Sequence, residues 1–414
     1  MVLQWPARVG AGLVVRYLSP GRGHANDNVS PDRVLDLNVQ ISGVSMLDRR
    51  LMMKPVSGSF SGYHPMATVS EQPVAKPRAS ESPQSESIEE RPACLAPVAG
   101  AGQPLPGASS SLSAYLLLRR LDHRPVSQEG INALTPADEA VVEARNALPF
   151  GRGNVGVDAQ KTDLESSIRT RSVMRLTRDA EAAGHTPMRG VDADMNWNVL
   201  VAMSGRIFGA GNCREHARIA SFAYGGLAQE SGRSSEEKIH LATKAGVDHV
   251  WVETDHPDAD SSPMVIDPWA NGSAILAEDS RFAKDRSAVT RTDTFDLSLA
   301  AEAGQIAKAT AEEALAHTQG RLQQRLASER PDAVPLESGR YREEVSVLDD
   351  TFARRVGQKV NTADPRGMLN VELEAVGVAM SLGGEGVKPL TQEASQIVEK
   401  AKKFASPGGM PRDA

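Results

Sequence analysis

Residues 209–228, GAGNCREHARIASFAYGGLA, place Cys213, one of the chain's two cysteines, between a glycine-rich turn and a helix-like run. Asn212 suits an N-cap and Cys213 the first helical position. The backbone N–H groups of a first helical turn have no intrahelical partner, and the helix dipole adds partial positive charge there. Both effects favour thiolate over thiol, and the thiolate is the nucleophile. The same N–H groups could hold the oxyanion formed on an attacked carbonyl. Gly209 and Gly211 let the chain turn sharply and let a substrate come close.

Two later stretches supply the partners such a thiol needs. His249 opens HVWVE (249–253), and Asp267 lies in VIDPW (265–269), held just before a proline. A carboxylate beside an imidazole fixes its tautomer and stabilises its charged form. The imidazole can then take the thiol proton, giving an ion pair at neutral pH. Singly, each residue has a plainer explanation: a helix-start cysteine in the core, a structural strand histidine, a strand-end Asp-Pro turn. Their joint occurrence, in the order Cys213, His249, Asp267, carries the reading.

The elements that must position these residues can be read from hydrophobic period and punctuation. GVDHVWVET (246–254) alternates Val247, His249 and Trp251 with Asp248, Val250 and Val252, a strand pattern, and MVIDPWA (264–270) reads as a second strand stopped by Pro268. The simplest arrangement is an antiparallel pair joined by the turn DHPDADSSP (255–263). Helices are predicted over 113–125, from Thr135 as N-cap with Pro136 at the first helical position up to Pro149, over 161–184, and over 195–208. After residue 295 the pattern is helical again: 296–329, 341–359, 369–381 and 390–404. Helices around a small antiparallel sheet make the class α+β.

The bulk numbers narrow the partners. A net charge of −7 argues against a nucleic acid held on a basic face. The two cysteines make no CxxC framework, so neither a disulfide scaffold nor a structural zinc site is expected. No apolar run is long enough to span a membrane, no secretory signal pattern opens the chain, and Val2 offers no myristoylation acceptor. Residues 1–112 hold twelve of the 25 prolines and the Ser/Pro/Glu-rich stretch 73–92. That composition cannot bury enough apolar surface to order itself, so a disordered leader is expected, with Met46, Met52 or Met53 as alternative starts. The domain reading is a leader over 1–112, a core over 113–290 and a helical region over 291–405 packed on or extending it.

Cys213 and His216, with His240, His249 or His256, could be assembled into a metal site, but no HExxH or paired CxxC supports it. Asp255, Asp258 and Asp260 lack the spacing and glycine of a calcium loop. Cys94 is given no role. No cofactor is expected.

The blocks GNCREHA, HVWVE and VIDPW resemble the three signature blocks of the transglutaminase/papain-like superfamily. With its leader and helical flanks the chain more narrowly resembles the AvrPphE (HopX/XopE) family of type III secreted effectors of plant-pathogenic bacteria. The resemblance covers roughly residues 125–300. It implies a core in which a Cys-bearing helix packs on a small antiparallel sheet carrying His and Asp, with Cys213 as nucleophile, His249 as base and Asp267 as orienting acid. It implies a cysteine hydrolase acting on a host plant protein and interfering with immune or hormone signalling. A type III chaperone would bind the N-terminal region, and the protein would act in the host cytoplasm or nucleus. The family also has a block before its cysteine, matched in position by 194–208, where Trp197 or Asn198 could supply an oxyanion donor. Protease, deamidase and acyltransferase all fit. A module that binds and sequesters a host protein is the competing reading, and the intact Cys-His-Asp set favours the enzyme.

Overall fold

The computed structural model describes residues 110–184, 193–255, 263–383 and 387–405. The expected leader, apart from its last three residues, lies outside them, as do Cys94, His256, Asp258 and Asp260.

Among the described residues five strands form one antiparallel sheet. They are β3 (Lys238–Lys244), β4 (Val247–Asp255), β5 (Met264–Ile266), β6 (Ile275–Leu276) and β7 (Val289–Asp296), in the order β6-β5-β4-β3-β7. The two strands read from the sequence are β4 and β5, paired antiparallel with Val252 opposite Ile266 and Thr254 opposite Met264. β5 is shorter than the 264–270 expected, because Asp267 and Pro268 turn the chain out of the ladder. β3 is joined to β4 through Ala245–Gly246, and Gly246 takes the left-handed conformation (φ 76°) that a tight turn requires. β3 and β7 were not anticipated. KIHLATK is short and mixed, and VTRTDTFD buries only Phe295, leaving little period to read.

The helix α6 (Cys213–Glu230) lies at the centre, packed against β4 and against α2 (Gln128–Ala147) and α7 (Leu297–Glu329). Its buried Ile219, Phe222 and Tyr224 join Ile239, Leu241 and Trp251 of the sheet in the core. α5 (Ala193–Phe208) leads into it. Before these come α1 (Ser110–Leu121), α3 (Gly156–Lys161) and α4 (Glu165–Ala182); after them come α8 (Asp350–Val360), α9 (Pro365–Ser381) and α10 (Val387–Ala405). β7 crosses the expected boundary at 290/291 and runs directly into α7, while α8, α9 and α10 pack with α1. No described helix is long and apolar enough to cross a membrane.

Two expected helices differ most in their starts, the others by a few residues at most. α2 begins at Gln128, with Ser127 accepting from the Gly130 N–H at 3.1 Å, so Pro136 lies inside the helix. A mid-helix proline loses one hydrogen bond and crowds the preceding turn; here Pro136 is buried, and Thr135 bonds back to the Ile131 carbonyl at 2.9 Å. The expected helix 341–359 starts only at Asp350. The stretch before it is extended, spending its backbone groups on residues 271–281: Asn271 N–H to Val345 O at 2.8 Å, Val347 N–H to Asn271 O at 2.9 Å and Arg281 N–H to Val347 O at 2.8 Å.

Candidate active site

Cys213 occupies the first position of α6, as its sequence context predicts, and its thiol is free and part-buried. The turn before it is built by the two glycines. Gly209 sits at φ 66°, where a side chain would be strained. A Cβ on Gly211 would lie 2.5 Å from Cβ of Glu215, so only glycine lets the turn close onto the helix. Parallel two-residue strands, β1 (Gly151–Arg152) and β2 (Ala210–Gly211), pin this turn from outside. Glu215 caps the helix by accepting the Asn212 N–H at 2.8 Å. The other half of that capping box is looser, since Asn212 Oδ1 is buried with no partner at hydrogen-bonding distance.

His249 on β4 and Asp267, one residue past β5, meet as the sequence reading expects. Nε2 of His249 lies 2.7 Å from Oδ2 of Asp267, and both side chains are 1% exposed. Oδ1 of Asp267 accepts the N–H groups of Trp269 and Ala270, each at 3.2 Å, so the carboxylate cannot rotate freely. Aromatic rings enclose the imidazole: Phe282 at 4.3 Å, Trp269 at 4.8 Å and Trp251 at 5.9 Å between centroids. The Trp251 indole in turn donates to Glu253 at 3.2 Å, and Arg286 grips Glu253 with two bonds of 2.6 and 2.7 Å.

The electrostatics follow from this enclosure. Burial opposes a charged imidazole, but the Asp267 charge and hydrogen bond outweigh it, Cys213 adds to them, and the His249 pKa is pushed up to about 10. Burial likewise opposes the Asp267 carboxylate, yet His249 and the backbone donors hold its pKa below the usual range. With Nε2 committed to Asp267, Nδ1 is the ring nitrogen left for other chemistry. It is buried, has no partner at ordinary hydrogen-bond geometry, and Cys213 is the remaining ionisable group named above as bearing on the ring.

Two arginines, Arg145 part-buried and Arg152 buried, hold the loop after Asp267. Arg145 on α2 donates to the carbonyls of Pro268 (3.1 Å), Ala270 (2.7 Å) and Gly272 (2.9 Å). Arg152 on β1 donates to the Trp269 carbonyl at 2.8 Å while paired with Asp158 at 2.7 Å and with Glu344 at 2.5 Å. One guanidinium therefore ties the Cys213 turn, the Asp267 loop and the extended stretch before α8 together. Neither residue was picked out from the sequence. An arginine has no local signature when its partners are carbonyls more than a hundred residues away.

The two residues considered as side-chain oxyanion donors sit in different surroundings. The Asn198 amide donates to Asp293 on β7 at 3.3 Å, and its oxygen accepts from buried Arg218 at 2.5 Å. Asn198 thus links α5, α6 and β7, with one of its two amide N–H groups given to Asp293. Trp197 lies part-buried beneath Arg214, whose guanidinium is 5.5 Å from its ring. His216, one turn beyond Cys213, is buried, with Nδ1 against the Asn212 carbonyl at 2.9 Å. Burial, with the charges of Arg152 and Arg145, lowers its pKa to about 4.

His216 and His240 do not join Cys213 around a common point. His240 bridges Thr294 (2.9 Å) and Asp255 (2.8 Å) across β3, β7 and β4. Among the described residues no group of three His, Cys, Asp or Glu side chains could hold a metal ion. Comparison with protein-family models, with curated proteins and with solved structures returns no match.

Proposed function

We propose that the protein is a cysteine enzyme of the transglutaminase/papain-like kind, attacking an amide of a protein substrate. The observation that carries this reading is the His249–Asp267 pair, sealed from water and bearing on the thiol at the start of α6. The Asp267 carboxylate holds Nε2, so the Cys213 proton passes to Nδ1. The thiolate adds to the substrate carbonyl, and the new oxyanion meets the unpaired N–H groups of the first turn of α6, with Trp197 or Asn198 as side-chain donor. The tetrahedral adduct collapses, the C–N bond breaks, and the leaving nitrogen takes its proton from Nδ1 of His249. Water, or an amine in a transfer reaction, then attacks the thioester, returns a proton to His249 and frees the sulfur. Resemblance to the AvrPphE family extends the proposal to a type III effector acting on a host plant protein.

The test is the reaction of the thiol itself. Iodoacetamide should modify Cys213 faster than Cys94 at pH 6, and His249→Ala should abolish the difference. Equal rates for the two cysteines in the intact protein would remove the enzyme reading. Host proteins incubated with the wild type, but not with Cys213→Ala, should then show the mass change that names the reaction.

A further inference from the structure

Next after Cys213 in the chain comes a guanidinium that the proposed triad does not use. Arg214 follows Cys213 on α6, and its guanidinium carbon lies over the Trp197 ring, 5.5 Å from the centroid. Its Nε is turned back to the buried carboxylate of Glu215 at 3.4 Å, and the side chain is 37% exposed. Glu215 is itself occupied by the helix cap. The cation–π contact and the Nε contact restrain the fork, while Nη1 and Nη2 have no hydrogen-bond partner among the described residues. A second guanidinium lies beneath the first: Arg218, buried, donates to the Arg214 carbonyl at 3.2 Å and otherwise to the neutral Asn198. No carboxylate is within ion-pair distance of Arg218 among the described residues. Burial and Arg214 lower its pKa to about 10, against the opposing charges of Asp293, Glu215 and Cys213.

A planar fork held against a ring, with both terminal nitrogens open, suits two parallel bonds to a carboxylate. Arg218 adds positive potential that water screens little. We infer that Arg214 is the specificity residue of this site and recognises a substrate carboxylate next to the attacked carbonyl. The inference rests on Cys213 being the nucleophile.

Two isosteric alkylating agents test it on the full chain. Iodoacetate carries a carboxylate one carbon from the atom that sulfur attacks; iodoacetamide carries a neutral amide there, and in both iodide leaves as the C–S bond forms. The ratio of the two rates at Cys213, read by peptide mass, should exceed the ratio at Cys94 in the same molecule. Arg214→Gln should lower the Cys213 ratio by about fivefold, the size of one exposed ion pair, and Arg214→Lys should restore part of it. If Cys213 reacts faster than Cys94 with iodoacetamide yet its ratio is indifferent to Arg214→Gln, the specificity inference is overturned and the enzyme reading stands. If Cys213 is no faster than Cys94 with either reagent, the enzyme reading falls first. Peptidyl chloromethyl ketones separate the sources. A faster probe with glutamate beside the electrophile supports an acidic side chain, a faster one ending in a free α-carboxylate supports a chain terminus, and no gain from either overturns the inference.

Discussion

Oδ2 of Asp267 lies 2.7 Å from Nε2 of His249, with 1% of either side chain reaching solvent. A charged pair in such a setting is worth little against two apolar residues, but costs a great deal to break on one side. Asp267→Ala should therefore destabilise the protein by about 3–5 kcal/mol in urea unfolding. Asp267→Asn should keep the ring oriented at a smaller cost and drop the His249 pKa well below about 10, because burial is then opposed by Cys213 alone among the ionisable groups acting on it. NMR titration of the His249 ring reads this directly, and an unmoved pKa in the Asn variant would show that Asp267 is not its source.

Cys213→Ala separates chemistry from folding. The side chain is part-buried at a helix start and makes no disulfide, so unfolding free energy should change by less than about 1 kcal/mol. Modification of substrate should fall to background. His249→Ala should cost nearly as much activity, and the double variant should be no worse than either alone, since groups acting as a unit are not additive.

The two buried histidines of the site pull pH dependence in opposite directions. His249 has its pKa raised to about 10, so its contribution to stability is complete below about pH 6.5 and is lost as pH climbs through 10. His216 has its pKa lowered to about 4; its contribution is complete above about pH 6.5 and is lost as pH falls through 4. Asp267, also lowered, adds loss only at still more acidic pH, below the ordinary carboxylate range. Stability should therefore peak near pH 6.5. Unfolding measured at pH 4.5, 6.5 and 9 should show His216→Asn flattening the acid side and Asp267→Asn flattening the alkaline side. A variant that flattened the opposite side would reverse the assignment.

Arg145 supplies three hydrogen bonds to the loop that begins at Asp267. Arg145→Gln should lower stability by about 2–4 kcal/mol, since carbonyls of a buried loop lose a charged donor. The Asp267 carboxylate should then wander, broadening the His249 Nε2–H resonance and slowing alkylation of Cys213. Lost stability with that resonance unchanged would mean that the arginine holds the fold but not the pair.

The sequence carried the chemistry and its local setting. A cysteine after Gly-Asn at a helix start, a histidine in an alternating strand and an aspartate before proline are each written in adjacent residues. So α6, β4 and β5 could be read with the candidate side chains in place, and the α+β class followed from the succession of periods. Tertiary structure decided what depends on distant partners. β3 and β7 exist because β4 offers an edge that pairs with β3, whose other edge pairs with β7, although KIHLATK and VTRTDTFD have weak patterns of their own. The stretch before Asp350 is extended because residues 271–281 take its backbone hydrogen bonds, against a composition that favours helix. Pro136 sits mid-helix because Ser127 starts α2 earlier and the interior accepts the ring. Asn198 became a strut because Arg218 and Asp293 converge on it, which no spacing within α5 encodes. Arg145 and Arg152 act on carbonyls brought to them only by the fold.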